Sequence, residues 1–386
     1  MSESANTIEI VECKTKAERK QFITFQWEIY KGNPYWVPPL MSEREAFWDK
    51  EKNPFFEHSE TAMFLAKRGG KAVGTIAATR NEQHLKFHPD GAGFFGGFEV
   101  IREYAVAEKL FDAAKAWVKS RGLSVMRGPA TLDMNGECGL LVDGFEMEPL
   151  VLMPYNPPYY QEFIERYGFK KAQDLWAWWN PIEVAVKAVE GRFMRLAEAA
   201  QKRGKFTIRT ANLKNIDHEI QVLKKVYAGD DSAWKDNWGN IPMTDHEIDH
   251  TVKGLKQFAD SDLIFIAEKD GEPIAVSISL PNVNHPLRLA YPSPSTFEPL
   301  TLAKFLWHRR TSVSAVRFII LGVLPEHRMS GVDTCLIMET LKAVVNKKYT
   351  GAELSWILES NDAMNRVAKL GGGSVYKTYR MYDVEL

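Results

Sequence analysis

The stretch Val-Leu-Pro-Glu-His-Arg-Met-Ser-Gly-Val-Asp, from Val323 to Asp333, brings together residue types suited to holding an anion. It follows an apolar run, Phe318 to Leu324, that reads as a buried strand. It precedes Thr334 to Asn346, where Leu336, Ile337, Leu341, Val344 and Val345 recur at helical spacing. A strand, a short Arg-x-x-Gly turn and a helix leave several backbone N–H groups unpaired at the helix N-terminus. Those amides and the helix dipole both favour negative charge. Turns of this kind also serve as plain strand-to-helix connections, so the surrounding elements decide the meaning of this one.

Downstream, Gly351 to Glu359 reads as a second strand, and Ser360-Asn361-Asp362 supplies N-cap chemistry for a short helix from Ala363 to Leu370. Gly371-Gly372-Gly373 closes that helix, and a tyrosine-rich strand runs from Ser374 to Leu386. Upstream, Ile264 to Ile278 is a pair of strands joined at Asp270-Gly271. Phe64 to Ala78 is the same hairpin in the first half, turning at Gly69-Gly70. That half continues with a strand from Phe94 to Val100, a helix from Ala105 to Arg121, and a helix from Pro158 that ends Tyr167-Gly168-Phe169. The hairpins lie roughly 200 residues apart, which marks a duplicated architecture and not a short repeat.

In these residues the chain resembles the GCN5-related N-acetyltransferase (GNAT) superfamily, and in overall pattern a group of bacterial proteins with two such domains. The segments Asn33 to Leu40, Asn53 to His58 and Met153 to Tyr159 are similar to that group. The resemblance implies an α/β (mixed α+β) fold of two tandem GNAT-like domains, each a mostly antiparallel mixed sheet flanked by helices. We place an N-terminal domain at 1–180, a connecting helix at 181–205 and a C-terminal domain at 206–386. The resemblance further implies acetyl-CoA or a longer acyl-CoA as co-substrate. CoA would be held by Val323, Leu324, Arg328, Met329, Ser330, Gly331, Val332, Asp333 and Thr334, its diphosphate on the amides from Arg328 to Thr334 and its pantetheine arm along the strand ending at Val323, with Asn361 and Asn365 from the last helix also contributing. Arg328 and Gly331 match the family's Gln/Arg-x-x-Gly-x-Gly/Ala loop. Asp333 departs from it, placing a carboxylate in the cradle. Ile101 to Tyr104, where the first domain's loop falls, has no glycine. One CoA per chain is therefore expected, in the C-terminal domain. Gly331→Glu is expected to abolish its binding while leaving the melting temperature nearly unchanged.

Acyl transfer from a thioester to an amine needs a held donor, an amine that loses a proton and a stabilised thiolate. The strand from Ala315 to Leu324 carries no acid, although many family members place Glu there. Glu359, at the end of the neighbouring strand, is the candidate base, with a helix-capping or surface carboxylate as the other reading. The family's usual tyrosine acid falls on Val367. Tyr376, Tyr379 and Tyr382 recur on the last strand, and Tyr379 is the candidate acid, with core packing as the other reading. Glu326 and His327 are polar loop residues. Cys138 has no neighbouring base and reads as a small buried residue. The tryptophans at 176–179 and 234–238 suit an apolar acyl pocket or plain core packing.

The functional expectation is an N-acyltransferase that moves an acyl group from acyl-CoA to a small-molecule or peptide amine. Two other classes stay open: a non-catalytic acyl-CoA or small-ligand binding protein, and a tRNA-dependent aminoacyl transferase.

Composition sets outer bounds. The chain has 386 residues, 45% hydrophobic and 12% aromatic, enough for two packed domains. With 49 basic and 50 acidic residues, the net charge of −1 argues against nucleic acid and gives no sign of an anionic membrane partner. Clusters such as His308-Arg309-Arg310 read as solvated faces. Cys13, Cys138 and Cys335 are too scattered for a disulfide framework or a zinc site, no metal is expected, and a reducing cytoplasm fits. The longest apolar run falls short of the about 20 residues that cross a bilayer. A homodimer is compatible with the chain. Residues 229–245 read as a long loop, a common place for function, and the proline-rich 281–299 lies between a strand at 274–280 and a helix at 300–310.

Overall fold

The computed structural model describes residues 7–189, 191–227, 232–234 and 237–386. The first half runs β1 (Ile8–Glu12), α1 (Lys16–Ile29), α2 (Met41–Phe47), β2 (Ser59–Arg68), β3 (Lys71–Asn81), α3 (Glu82–Phe87), β4 (Ala92–Val100) and α4 (Tyr104–Ser120). It continues with β5 (Val125–Gly128), the short strands β6 (Ala130–Thr131), β7 (Glu137–Cys138) and β8 (Leu140–Asp143), then α5 (Tyr159–Tyr167) and β9 (Lys170–Pro181). The second half runs α6 (Ile182–Val189), α7 (Arg192–Gly204), β10 (Thr207–Thr210), α8 (Ile216–Tyr227), α9 (Asp245–Leu255), β11 (Ile264–Lys269) and β12 (Glu272–Pro281). It closes with α10 (Asn284–Ala290), α11 (Glu298–Ser312), β13 (Ala315–Val323), α12 (Val332–Asn346), β14 (Gly351–Leu358), α13 (Asp362–Leu370) and β15 (Ser374–Glu385).

Two compact units result. The first takes the chain up to Leu175 together with Pro286–His308 and Thr378–Leu386; the second takes Trp176–His285 and Arg309–Lys377.

In the first unit β1 to β4 pair antiparallel in sequence order. β4 then runs parallel to β5 over Ala92–Phe94 against Val125–Arg127. The end of β15, Tyr382 to Glu385, pairs antiparallel with β5, and Thr378 to Arg380 pairs with β8. The apolar face of α4 (Val106, Leu110, Phe111, Ala114 and Val118) packs with Phe95, Phe98, Tyr160 and Phe169.

In the second unit β10 to β13 pair antiparallel, and β13 pairs parallel with β14. Side chains alternate across this sheet. Phe265 and Ala267 pack under α7 and α12 with Ala197, Ala200, Val332, Cys335 and Leu336. Ile266 and Val276 face α8 through Val222 and Val226.

Local chemistry accounts for several boundaries. Thr244 and Glu247 form the reciprocal cap that starts α9, as their spacing predicts. The apolar stretch from Val184 to Lys202 reads as one helix but folds as α6 and α7, with Gly191 at φ +74° capping the second. The proline-rich 281–299 contains α10, whose start is held by Asn282 accepting from the Asn284 amide at 3.3 Å. Of the loop expected at 229–245, residues 229–231 and 235–236 lie outside the described residues.

Candidate active site

In the second unit β13 and β14 stay in parallel register only from Ala315–Phe318 against Gly351–Leu354. The register of β13 against β12 shifts between Ser279↔Phe318 and Ile278↔Ile320, which sets Ile319 out as a bulge. Beyond it the strands separate, and residues 318–321 of β13 are only half-buried. Their backbone on the β14 side is an open edge with donors and acceptors to spare.

A charged cluster forms the floor of this opening. Arg317 and Glu353 sit opposite each other and are 2% and 0% exposed. The Arg317 Nε donates to Ser355 Oγ at 2.8 Å and lies 3.6 Å from Glu353 Oε1. Ser355 Oγ donates to Glu353 Oε1 at 2.5 Å, and the Tyr376 hydroxyl donates to Glu353 Oε2. Arg317 also lies over the Trp356 ring, 5.1 Å from its centroid. The carboxylate therefore has a cation and two hydroxyl donors, the satisfaction a buried charge needs.

The predicted anion loop leads out of β13. Pro325–His327 forms a single tight turn, and Arg328 Nη2 donates to the Ala233 carbonyl at 3.1 Å. Met329 adopts φ +64° and is 99% exposed. Gly331 caps α12 at φ +83°, with no side-chain cap on the helix. The first helical bond is Cys335 N–H to Gly331 O at 3.1 Å, and Ser330 Oγ accepts weakly from the Val332 amide at 3.4 Å. The Asp333 and Thr334 amides have no hydrogen-bond partner among the described residues, as is usual in a first helical turn. The Asp333 side chain is exposed in the first turn. A methyl added at Gly331 would stand 2.7 Å from Ala200 Cβ of α7. Gly331→Glu would thus disturb α7 packing as well as the loop, which corrects the expectation of an unchanged melting temperature. On the other face, Trp234 lies so close to Gly322 that even a methyl there would meet the indole at 2.2 Å.

The remaining expected residues are spread more widely. Val323 and Leu324 pair with β12 through Ala275 and Ile274. Asn361 caps α13, accepting from the Met364 amide at 3.1 Å. Asn365 is buried, donates to the Leu358 and Glu359 carbonyls, and accepts from Trp178 Nε1 at 2.9 Å. Both asparagines fix the end of β14. Glu359 follows directly and is half-buried. Tyr379 belongs to the first unit, is fully buried, and packs against Gly139.

The first unit holds a carboxyl that sequence reading passed over. Glu99, on β4 past the point where β4 and β5 part, accepts from Tyr160 at 2.8 Å and from Tyr30 at 3.2 Å. Tyr30 stacks on Trp36 at 4.8 Å and also donates to the Tyr155 carbonyl. Part of the Glu99 side chain stays accessible. Burial pushes its carboxyl up to about 8, against the pull of the two tyrosine hydroxyls and Arg44. The signal for it was a lone acid in the apolar run Gly93-Phe-Phe-Gly-Gly-Phe-Glu-Val100.

No family model matches the chain. It is 35% identical over 376 residues to Protein YghO of Escherichia coli (strain K12), covering 96% of this chain and 94% of that protein. It is also 35% identical over 390 residues to the bacterial ceramide synthase of Caulobacter vibrioides (strain NA1000 / CB15N), covering 98% of each. The chain belongs to the family of these two proteins. Among solved structures it is similar to a tandem GNAT protein from the clavulanic acid biosynthesis pathway, 11% identical, with a TM-score of 0.57 over 98% of both chains. A GCN5-related N-acetyltransferase from Sphaerobacter thermophilus gives a TM-score of 0.50 at 11% identity over 97% of this chain and 95% of that one. The fold of this family member is thus that of the tandem GNAT proteins, as the paired hairpins imply.

Proposed function

We propose that the chain is an N-acyltransferase that moves a long-chain acyl group from acyl-CoA to the primary amine of a long-chain amino alcohol, giving a ceramide-type amide. The observation that supports this most is the 35% identity, along 98% of both chains, to a bacterial ceramide synthase. The parted strands and bare helix terminus of the second unit support a donor site there. In this reading the amides of Asp333 and Thr334 take the CoA diphosphate, and the open edge of β13 takes the pantetheine amides. The amine nitrogen attacks the thioester carbonyl, a C–N bond forms and the C–S bond breaks. One amine proton passes to a base and the sulfur leaves as thiolate. Glu359, at the mouth of the opening, is our candidate base. Tyr376, half-buried and bonded to Glu353, is our candidate for returning a proton to sulfur.

The test is direct. Purified protein with palmitoyl-CoA and sphinganine should release CoA thiol and an equal amount of N-acyl product, read by mass spectrometry. CoA binding without product, across acyl lengths and amines, would turn the reading toward a ligand-binding protein. Absence of both binding and product would refute it.

A further inference from the structure

The segment leading into α11 is built inside out. Only Thr301 and Phe305 of the helix are buried. At 100° per residue, the opposite side carries Pro299, Leu300, Ala303, Leu306 and Trp307. Leu300 is 53% exposed, Leu306 56%, Trp307 70%, and Phe297, just ahead of the helix, 75%. Scattered exposed apolar residues are ordinary, but a contiguous patch ending in Trp and Phe is not. Nor is it a frayed end. Trp27 Nε1 donates to the Pro292 carbonyl at 2.9 Å, and the Ser42 amide donates to Glu298 at 3.0 Å.

The charges around the patch select its partner. Between Asn284 and Ser312 the only acid is Glu298, which accepts from Ser42 and lies near Glu43 of α2, while Arg288 is taken by Glu148 at 2.6 Å. That leaves Lys304 at the edge of the apolar side and Arg310 just past its end, both exposed and without an ion pair among the described residues. Arg309 adds a third cation at the same end, with its Nη1 on the Gln257 carbonyl. An exposed apolar strip with Trp and Phe, with Lys at its edge and Arg at its end, suits a lipid headgroup layer. A second copy of the chain fits less well, because face-to-face packing would oppose like charges. The near-zero net charge of the whole chain does not bear on this local asymmetry.

We infer that this surface seats the protein on an anionic lipid bilayer, with Phe297, Leu300, Leu306 and Trp307 in the headgroup layer and Lys304 and Arg310 against lipid phosphates. The inference stands apart from the acyl-transfer reading, because binding is measured without turnover.

Co-sedimentation of the full chain with phosphatidylcholine vesicles, with and without phosphatidylglycerol, tests it. Wild type should partition onto the phosphatidylglycerol vesicles and much less onto the neutral ones. Leu300→Ser/Leu306→Ser/Trp307→Ser should lose more than about tenfold of that partitioning with an unchanged melting curve, since all three face outward. Lys304→Glu/Arg310→Glu should erase the preference for anionic vesicles. Absence of partitioning in wild type, or undiminished partitioning in the triple variant, would overturn the inference. So would a wild-type dimer in solution that the triple variant dissolves, which would give the face to a second copy.

Discussion

The two units contain the same device, a parallel strand pair that parts after a few residues, and they finish it in opposite ways. In the first unit the backbones close up beyond the parting. A methyl at Gly96 would meet the Ala130 carbonyl at 2.4 Å, and one at Gly128 the Phe95 carbonyl at 2.4 Å. Its following helix, α4, begins at Tyr104 with no glycine before it. In the second unit the strands stay apart over a charged floor, and α12 starts from a glycine in the left-handed region. An anion can approach backbone amides only where no Cβ intervenes. The first unit instead holds a carboxyl in apolar surroundings, Glu99, whose proton is retained to about pH 8. One unit starts a helix from a glycine with first-turn amides unpaired, the other holds a carboxyl whose burial favours its proton near neutrality.

The sharpest way to break this comparison is at the charged floor of the second unit. Arg317→Met strands Glu353 without its cation and should cost about 3–5 kcal/mol in urea unfolding. Adding Glu353→Met should recover a good part of that loss, because two apolar side chains replace a desolvated pair. If the single change costs under about 1 kcal/mol, the floor is wetter than its burial indicates.

Next in size is the anion loop. Gly331 is a poor probe, since its neighbour Ala200 would be displaced. Asp333→Pro removes one free amide in the first helical turn, where proline is tolerated. CoA affinity by calorimetry should fall about tenfold or more, with wild-type stoichiometry near one per chain. A stoichiometry near two would show that the glycine-free start of α4 also accepts a diphosphate, and the contrast between units would collapse.

How much of this was legible in the sequence follows from the range of each interaction. The hairpins, the Thr244–Glu247 cap and the strand–turn–helix at Gly331 depend on residues a few positions apart, so periodicity and glycine placement expose them. The floor does not, since Arg317 meets Ser355 across 38 positions of sequence, and Glu99 meets Tyr160 across 61. Tyr379 looked like its neighbours Tyr376 and Tyr382 on one strand, but only pairing with β8 reveals that it is sealed beside Gly139. The apolar side of α11 was hidden for the opposite reason. Leucines at helical spacing do not say which side of their helix is covered, and only the structure shows it.

The proton-holding half of the comparison is tested by pH. Glu99 has a folded pKa raised above its ordinary value of 4.5, so folding favours its protonated form. That contribution is complete below about pH 4.5 and is lost as pH rises through about 8. Glu99→Gln keeps a neutral side chain at every pH. Its melting temperature should match wild type near pH 5 and exceed it near pH 9, by an amount on the order of 2 kcal/mol in stability. Equal melting curves at both pH values would mean that Glu99 is solvated and ordinary. If turnover also depends on this carboxyl, the wild-type rate should climb with pH toward a plateau above about 8, and the variant should lack that rise.

The finest adjustment is Tyr30→Phe. The hydroxyl of Tyr30 donates to Glu99 and to the Tyr155 carbonyl, and the bond to Glu99 favours the charged carboxylate. Its removal leaves Tyr160 as the remaining tyrosine donor to Glu99, so the carboxyl should hold its proton to still higher pH. The cost in stability should be about 1 kcal/mol, the usual net worth of one such bond, because the ring and its stacking on Trp36 are kept. The pH midpoint of the Glu99-dependent melting difference should move upward, while CoA affinity in the second unit stays at the wild-type value. A midpoint that moves down, or does not move, would mean that Tyr160 and Arg44 alone set the charge state of Glu99. A simultaneous loss of CoA affinity would show that the two functions are not divided between the units as their local chemistry indicates.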